Sequence, residues 1–153
     1  MASATAWLLD TGILLHWIRA SKAAQTIDAQ FHLRESGFRP LICEVSLGEI
    51  EAFARDRTWG TDKRDALKGL KKELVAIDIS DTRVIDAYAD FSTLAKANGW
   101  PIFHDKNDLW IAAATRVSGA TLLTTDSAGF KPLRDGKHLD AVLLDPNTGL
   151  RLP

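Results

Sequence analysis

The chain has little of what a disulfide scaffold, a membrane span or a broadly basic binder requires. Cys43 is the only cysteine in 153 residues. No internal disulfide can form, and no cysteine-rich zinc site can be built. A reducing, cytoplasmic setting is the expectation. No apolar run approaches the roughly 20 residues needed to cross a bilayer. The opening MASATAWLLD lacks the basic start and long apolar stretch of a secretory signal. No membrane association is expected. Lys and Arg number 19 against 20 Asp and Glu, for a net charge of -1. That balance excludes a wide positive field, so any nucleic-acid contact must use a local patch, a bound cation or a second subunit. There is no Gly-x-Gly-x-x-Gly and no Walker loop, which argues against dinucleotide and nucleoside-triphosphate sites. No serine lies in a nucleophile-elbow context. His16, His32, His104 and His138 have no metal-ligand spacing, so a histidine-based nuclease is not favoured. His16 and His32 read as surface or half-buried helix residues.

What is present is a regular alternation of short apolar runs and longer helix-like stretches. The length is that of one ordinary domain, spanning 1–153. Strand candidates are 6–9, 41–45, 75–79, 121–124 and 141–144. Helix candidates are 12–19, 22–34, 47–55, 62–74, 82–97 and 107–117. Asn98-Gly99 and Gly119 are natural stops. Strands separated by helices predict an α/β fold: a parallel-sheet three-layer sandwich of five strands with helices on both faces. The strands are continuous apolar runs, as buried parallel strands should be. In such sheets ligands bind outside the carboxyl ends of the strands.

Acidic residues fall at those ends. Asp10 follows Trp7-Leu8-Leu9, and Asp126 follows Leu122-Leu123-Thr124-Thr125. Glu49 lies in the first turns of the helix after the second strand. Asp108 lies in the first turn of the helix NDLWIAAAT. Each has an ordinary structural explanation as a turn residue, a cap or a solvated helix position. Four together at one sheet edge would repel one another and raise each other's pKa unless a cation neutralised them. Mg²⁺ or Mn²⁺, with oxygen ligands and retained waters, suits such a site. A cation so held lowers the pKa of water and offsets charge on a phosphodiester during in-line displacement.

At this point the chain resembles the PIN-domain nucleases, and within them the VapC-like toxins of bacterial toxin–antitoxin pairs. LLDTGILLHWI is similar to the family's first block, an Asp-Thr pair followed by an apolar helix. VSLGEIEAF is similar to the segment carrying its glutamate. NDLWIAAATRVSGATLLTTDSAGF is similar to its third block, the most specific of the three. The resemblance covers almost the whole chain in order. It implies a PIN-like fold and a metal-dependent endoribonuclease. Asp10, Glu49, Asp108 and Asp126 would be the catalytic acids. Asp10, Asp108 and Asp126 would hold the metal, with Glu49 as a further ligand candidate. Thr124 would be a polar neighbour of the site, and Thr11 a weaker one. It also implies a small antitoxin partner covering the active site, and a homodimer. The family often has Asn or Ser where this chain has Gly12, which removes a hydrogen-bonding side chain. Asp105 reads as a helix cap, with a fifth site carboxylate as the alternative. Glu44 and Glu51 compete with Glu49, which fits the spacing best.

The stretch 55–72 carries an excess of Lys and Arg. Arg55, Arg57, Lys63 and Arg64, with Trp59 for base stacking, are candidate RNA contacts. A solvated helix face explains the same residues equally well. Trp110, two residues from Asp108, lies on another face of its helix, and packing is its expected role. The reading is an RNA-cleaving toxin acting on single-stranded or looped RNA. The alternatives are a housekeeping PIN-type nuclease, a phosphatase, or a PIN-like binding module without activity.

Overall fold

The computed structural model describes residues 5–35, 37 and 39–153. Met1 to Ala4, where the reading against a secretory start begins, lie outside the described residues. Five strands form one sheet: β1 (Trp7–Leu9), β2 (Leu41–Cys43), β3 (Val75–Ile77), β4 (Thr121–Thr124) and β5 (Ala141–Leu143). Their order is β3-β2-β1-β4-β5 and every pairing is parallel. The chain therefore starts in the centre, winds outward through β2 and β3, then returns to the other side through β4 and β5. Leu8 pairs with Leu41 and Leu122, and Leu9 with Ile42 and Leu123.

The alternation of side chains along a strand divides the core into two layers. Leu8, Cys43, Leu122 and Leu143 point to one face. There they meet the buried residues of α5 (Thr82–Asn98), α6 (Lys106–Ser118) and α7 (Ser127–Asp135). Leu9, Ile42, Leu123 and Val142 point to the other. That face is covered by α1 (Thr11–Arg19), α2 (Lys22–Phe31), α3 (Glu44–Asp56) and α4 (Thr61–Glu73). This is the expected three-layer sandwich. The run Ile111-Ala112-Ala113-Ala114-Thr115 is fully buried because α6 lies between the sheet and α5. Small alanines let the two helices approach closely, and Thr115 satisfies its hydroxyl on the Ile111 carbonyl at 2.8 Å.

Several boundaries differ from the sequence reading; the third strand, for one, ends at Ile77 rather than at 79. The second strand ends at Cys43, because Glu44 already opens α3. The helix expected over 22–34 stops at Phe31, where His32 takes a left-handed conformation (φ 49°) as its cap. Helix α7 was not expected at all. Pro132 and Gly129 both speak against a helix, but Asp126 caps it and Phe130 and Leu133 are buried against the sheet. Tertiary burial outweighs the local cost here. A short 3-10 turn over Pro101–His104 leads into α6. The isolated bridge between Leu144 and Arg151 folds the C-terminal residues back along the outer edge of β5.

Among the described residues no helix is long and apolar enough to cross a membrane.

Candidate active site

The carboxyl ends of the central strands β1 and β4 carry Asp10 and Asp126, and each aspartate caps the helix that follows. Asp10 accepts from the Thr11 N–H through Oδ1 at 2.8 Å, and Asp126 accepts from the Gly129 N–H through Oδ1 at 3.1 Å. A capping aspartate leaves its second oxygen free for other work. For Asp10 that oxygen, Oδ2, accepts the Thr124 hydroxyl at 2.6 Å. The same Thr124 Oγ1 receives the Asp126 N–H at 2.9 Å. Thr124 is fully buried, and it ties the two strand ends together.

Asp108 enters from α6, in the first turn. Asp105 caps that helix by accepting the Asp108 N–H at 3.1 Å. Asp105 is exposed, and besides capping this helix its charge reaches Asp108. Asp108 is only 8% exposed and Asp10 only 7%. Burial pushes Asp10 up to about 6, with the charges of Glu49 and Asp126 adding to it and the bonds from Thr124 and Thr11 opposing it. Burial raises Asp108 further, to about 9, helped by the Asp10 charge, by a hydrogen bond shared with the Asp126 carboxyl, and by Asp105. The chain thus buries two acids whose ionised forms repel one another.

Glu49 stands across α1. The Thr11 Oγ1 lies 2.8 Å from Glu49 Oε1 and 2.8 Å from Ser46 Oγ. Thr11 has one proton to give, and the carboxylate has none. Thr11 therefore donates to Glu49, and the buried Ser46 can donate to Thr11. The two competing glutamates are otherwise engaged. Glu51 accepts from Arg55 at 3.0 Å and from Arg64 at 2.9 Å. Glu44 accepts the Ile79 N–H at 3.1 Å at the far side of β3. Of the three glutamates, Glu49 is the one whose charge reaches Asp10.

Ser46 had no signal in the sequence beyond its spacing. It precedes Glu49 by three residues, which places both on one face of α3. Gly129 had none either. A Cβ built on it would fall 2.7 Å from Asp126 Oδ2 and 3.5 Å from Asp108 Oδ2. The place of the missing side chain is taken by the Asp126 carboxylate, with Asp108 behind it. Gly12, the departure noted above, has a steric reason: a Cβ there would lie 2.9 Å from Thr125 Oγ1.

The oxygen-only donor set, with two carboxylates crowded together beside Gly129, has the chemistry that suits a hard divalent cation. No three of the His, Cys, Asp and Glu side chains among the described residues close into a cage for one. An open site that leaves most positions to water and substrate is how Mg²⁺ is usually held, by one or two carboxylates. The electrostatics point the same way, since a cation would reverse the repulsion that raises Asp10 and Asp108.

The basic stretch is split. Arg55 and Arg64 both face Glu51. Arg57 lies over the Phe53 ring at 4.9 Å, and Lys63 over the Trp59 ring at 5.7 Å. These rings meet edge to face at 5.9 Å, beside a surface concavity of about 330 Å³ running from Arg57 to Lys63. Trp110 stacks on Tyr88 at 4.1 Å, on the face of α6 away from the acids.

A five-stranded parallel sheet with the buried Asp10 and the half-buried Asp126 at the carboxyl ends of β1 and β4, and the buried Asp108 entering from α6, defines an α/β domain with an acidic sheet edge. The chain belongs to the PIN domain family, whose model matches residues 7–134. Among solved structures it is similar to a chain of VapBC2 from Rickettsia felis bound to a DNA fragment from its promoter. There the identity is 19%, coverage is 89% of this chain and 96% of that one, and the TM-score is 0.72. It is also similar to VapBC-1 from nontypeable Haemophilus influenzae, with 18% identity, 89% and 96% coverage and a TM-score of 0.67. FitAcB from Neisseria gonorrhoeae follows, with 18% identity, 88% and 95% coverage and a TM-score of 0.64. At these identities the likeness is one of fold. No curated protein matches the sequence.

Proposed function

We propose that this protein is a metal-dependent endoribonuclease, and that it serves as the toxin of a toxin–antitoxin pair in the cytoplasm. The observation that carries this reading is the convergence of Asp10, Asp108 and Asp126, with Glu49 beside them through Thr11, at the edge where parallel sheets bind ligands. Membership of the PIN family supports the nuclease class. The likeness in fold to the VapBC complexes supports an antitoxin as partner.

Asp10, Asp108 and Asp126 would hold Mg²⁺ or Mn²⁺, with Glu49 as the outlying acid. When bound, the cation supplies charge neutralisation for the phosphate and makes water acidic enough to ionise near neutral pH. The protein's own share is positional and protonic. Thr124 and the Thr11 N–H fix both oxygens of Asp10, so it has one orientation. Glu49, held through Oε1, keeps its second oxygen for the attacking water and accepts its proton. Water oxygen bonds to phosphorus in line as the P–O bond to the leaving ribose oxygen breaks, and that oxygen takes up a proton. Asp108, whose carboxyl burial and the Asp10 charge raise toward the protonated form, would have to give up its proton to serve as a ligand. RNA would reach the acids past the corner formed by Arg57, Trp59 and Lys63. A homodimer and an antitoxin laid over the acid edge complete the reading.

The test offers purified protein a structured RNA, a DNA of the same sequence and a phosphomonoester, in EDTA and in Mg²⁺ or Mn²⁺. Asp10→Asn serves as the control. RNA cleavage that needs the cation and is lost in the variant is expected. Cleavage of the phosphomonoester alone would make it a phosphatase. No turnover of any substrate would leave a binding module. Growth arrest on expression, relieved by Asp10→Asn, separates a toxin from a housekeeping nuclease.

A further inference from the structure

Four glycines lie inside helices α1, α3, α4 and α7, where alanine is more favourable by about 1 kcal/mol. None has a left-handed backbone, so conformation does not demand glycine at any of them. Gly48 and Gly69 have nothing within 4 Å of a built Cβ. Gly12 and Gly129 differ. Both flank the turn that carries Asp126, and both are crowded by that turn. At Gly129 the crowding atom is Asp126 Oδ2, at 2.7 Å, with Asp108 Oδ2 at 3.5 Å; at Gly12 it is Thr125 Oγ1, at 2.9 Å.

The geometry at Gly129 is specific. Asp126 Oδ1 accepts the Gly129 N–H, as an N-cap does. That bond fixes the carboxylate, and its other oxygen then lies over the Gly129 Cα. A side chain at 129 would occupy the place of Oδ2 and drive it away from Asp108. A conflict between local propensity and the observed residue is a sign of function when a site lies beside it. We propose that Gly129 and Gly12 are positioning residues for the acid site: their missing side chains let the 124–129 turn seat against α1 and turn the free oxygen of Asp126 toward Asp108. This rests on the metal-site reading given above. The contact at Gly12 makes the same point from the opposite side, since the Thr125 side chain must be admitted before the turn can close on α1.

The experiment uses the full chain with Gly129→Ala, Gly12→Ala, Thr125→Ala, the pair Gly12→Ala/Thr125→Ala, and Gly69→Ala as control. Three quantities are read: Mn²⁺ affinity by calorimetry, RNA cleavage split into kcat and KM, and metal-free carboxyl ¹³C shifts with melting temperature. Gly129→Ala is expected to weaken Mn²⁺ binding and lower kcat at least tenfold, to leave KM within about threefold, and to melt no lower than wild type. It should also move the Asp126 and Asp108 carboxyl resonances, which Gly69→Ala leaves in place. Gly12→Ala should lose severalfold in kcat, and the pair should return to within twofold of Thr125→Ala. Gly129→Ala with unchanged carboxyl shifts would overturn the proposal. So would a loss of activity that simply follows a lower melting temperature, or a pair no better than Gly12→Ala alone. If wild type neither cleaves RNA nor binds Mn²⁺, the functional reading fails. The carboxyl shifts then still decide whether the glycines set the acids.

Discussion

Asp108→Asn should make the metal-free protein more stable at neutral pH while abolishing its response to divalent cations. Folding carries the Asp108 pKa from 3.8 to about 9, chiefly through burial and the Asp10 charge. An acid raised in this way binds more protons folded than unfolded. Its contribution is therefore complete below its unfolded pKa and is lost as pH rises toward the folded value. From pH 3.8 to pH 7.5 the loss accumulates at about 1.4 kcal/mol per pH unit, to about 5 kcal/mol at most. Asparagine has the same shape and a donor for Asp126, and carries no charge to bury. Its own amide must still be desolvated, so a net gain of about 2–3 kcal/mol is the expectation. At roughly 2–4 °C per kcal/mol for a domain of this size, the melting temperature should rise by about 5–10 °C. The assay is thermal denaturation in EDTA at pH 5.0 and 7.5, for wild type and variant. The difference between them removes groups that titrate in both. His16 is one: burial lowers its pKa, so its contribution runs the other way and grows as pH rises through the unfolded value. The gain from Asp108→Asn should be small at pH 5.0 and large at pH 7.5. Added Mn²⁺ should raise the wild-type melting temperature at pH 7.5 and leave the variant unmoved. A variant that melts at or below wild type at pH 7.5 in EDTA would refute the reasoning, because the buried charge would then carry no penalty.

Thr124→Val should destabilise the fold by about 2–3 kcal/mol, since it strands both the buried Asp10 Oδ2 and the Asp126 N–H. Thr124→Ser should restore most of that loss in urea denaturation, because the hydroxyl is what both partners use. Thr11→Val should cut kcat for RNA cleavage by one to two orders of magnitude by releasing Glu49, and cost about 1–3 kcal/mol of stability because the buried Ser46 hydroxyl loses a partner; steady-state kinetics beside a melting curve separates the two. Arg57→Ala/Lys63→Ala should weaken RNA binding and lower the slope of log affinity against log salt by about one to two. Arg64→Ala should change that slope less, because Arg64 is committed to Glu51.

The sheet was readable because its strands are short apolar runs that stop at or near an acid or a helix start; β1, β2, β4 and β5 are largely buried and show no polar alternation, while the more exposed β3 is legible as an apolar run alone. All five strands and six of the seven helices follow from that pattern. Helix α7 did not, because what holds it is remote: Phe130 and Leu133 reach the sheet, and no local signal outweighs Pro132. The same division runs through the site. Asp10, Asp108 and Asp126 each sit at a position the sequence marks on its own, a strand end or a first helical turn. Glu49 cannot be separated from Glu44 and Glu51 along the chain, because the group that selects it, Thr11, lies 38 residues away. Only the packing of α1 against α3 brings the two together.

That distinction explains how a chain of net charge -1 can be read as a phosphate enzyme. Without a cation the acids would make this edge repel RNA, and Lys63 with Arg57, itself paired with Asp56, is too little positive charge to reverse the sign. A cation held among these acids would turn a repulsive edge into an attractive one. RNA binding and cation binding should therefore be linked: each should raise the affinity of the other by the same factor. A basic nuclease needs no such linkage. Here the electrostatic cost of burying Asp10 and Asp108 without a cation is the energy that a bound one relieves, so the site trades stability in the empty state for discrimination in the filled one.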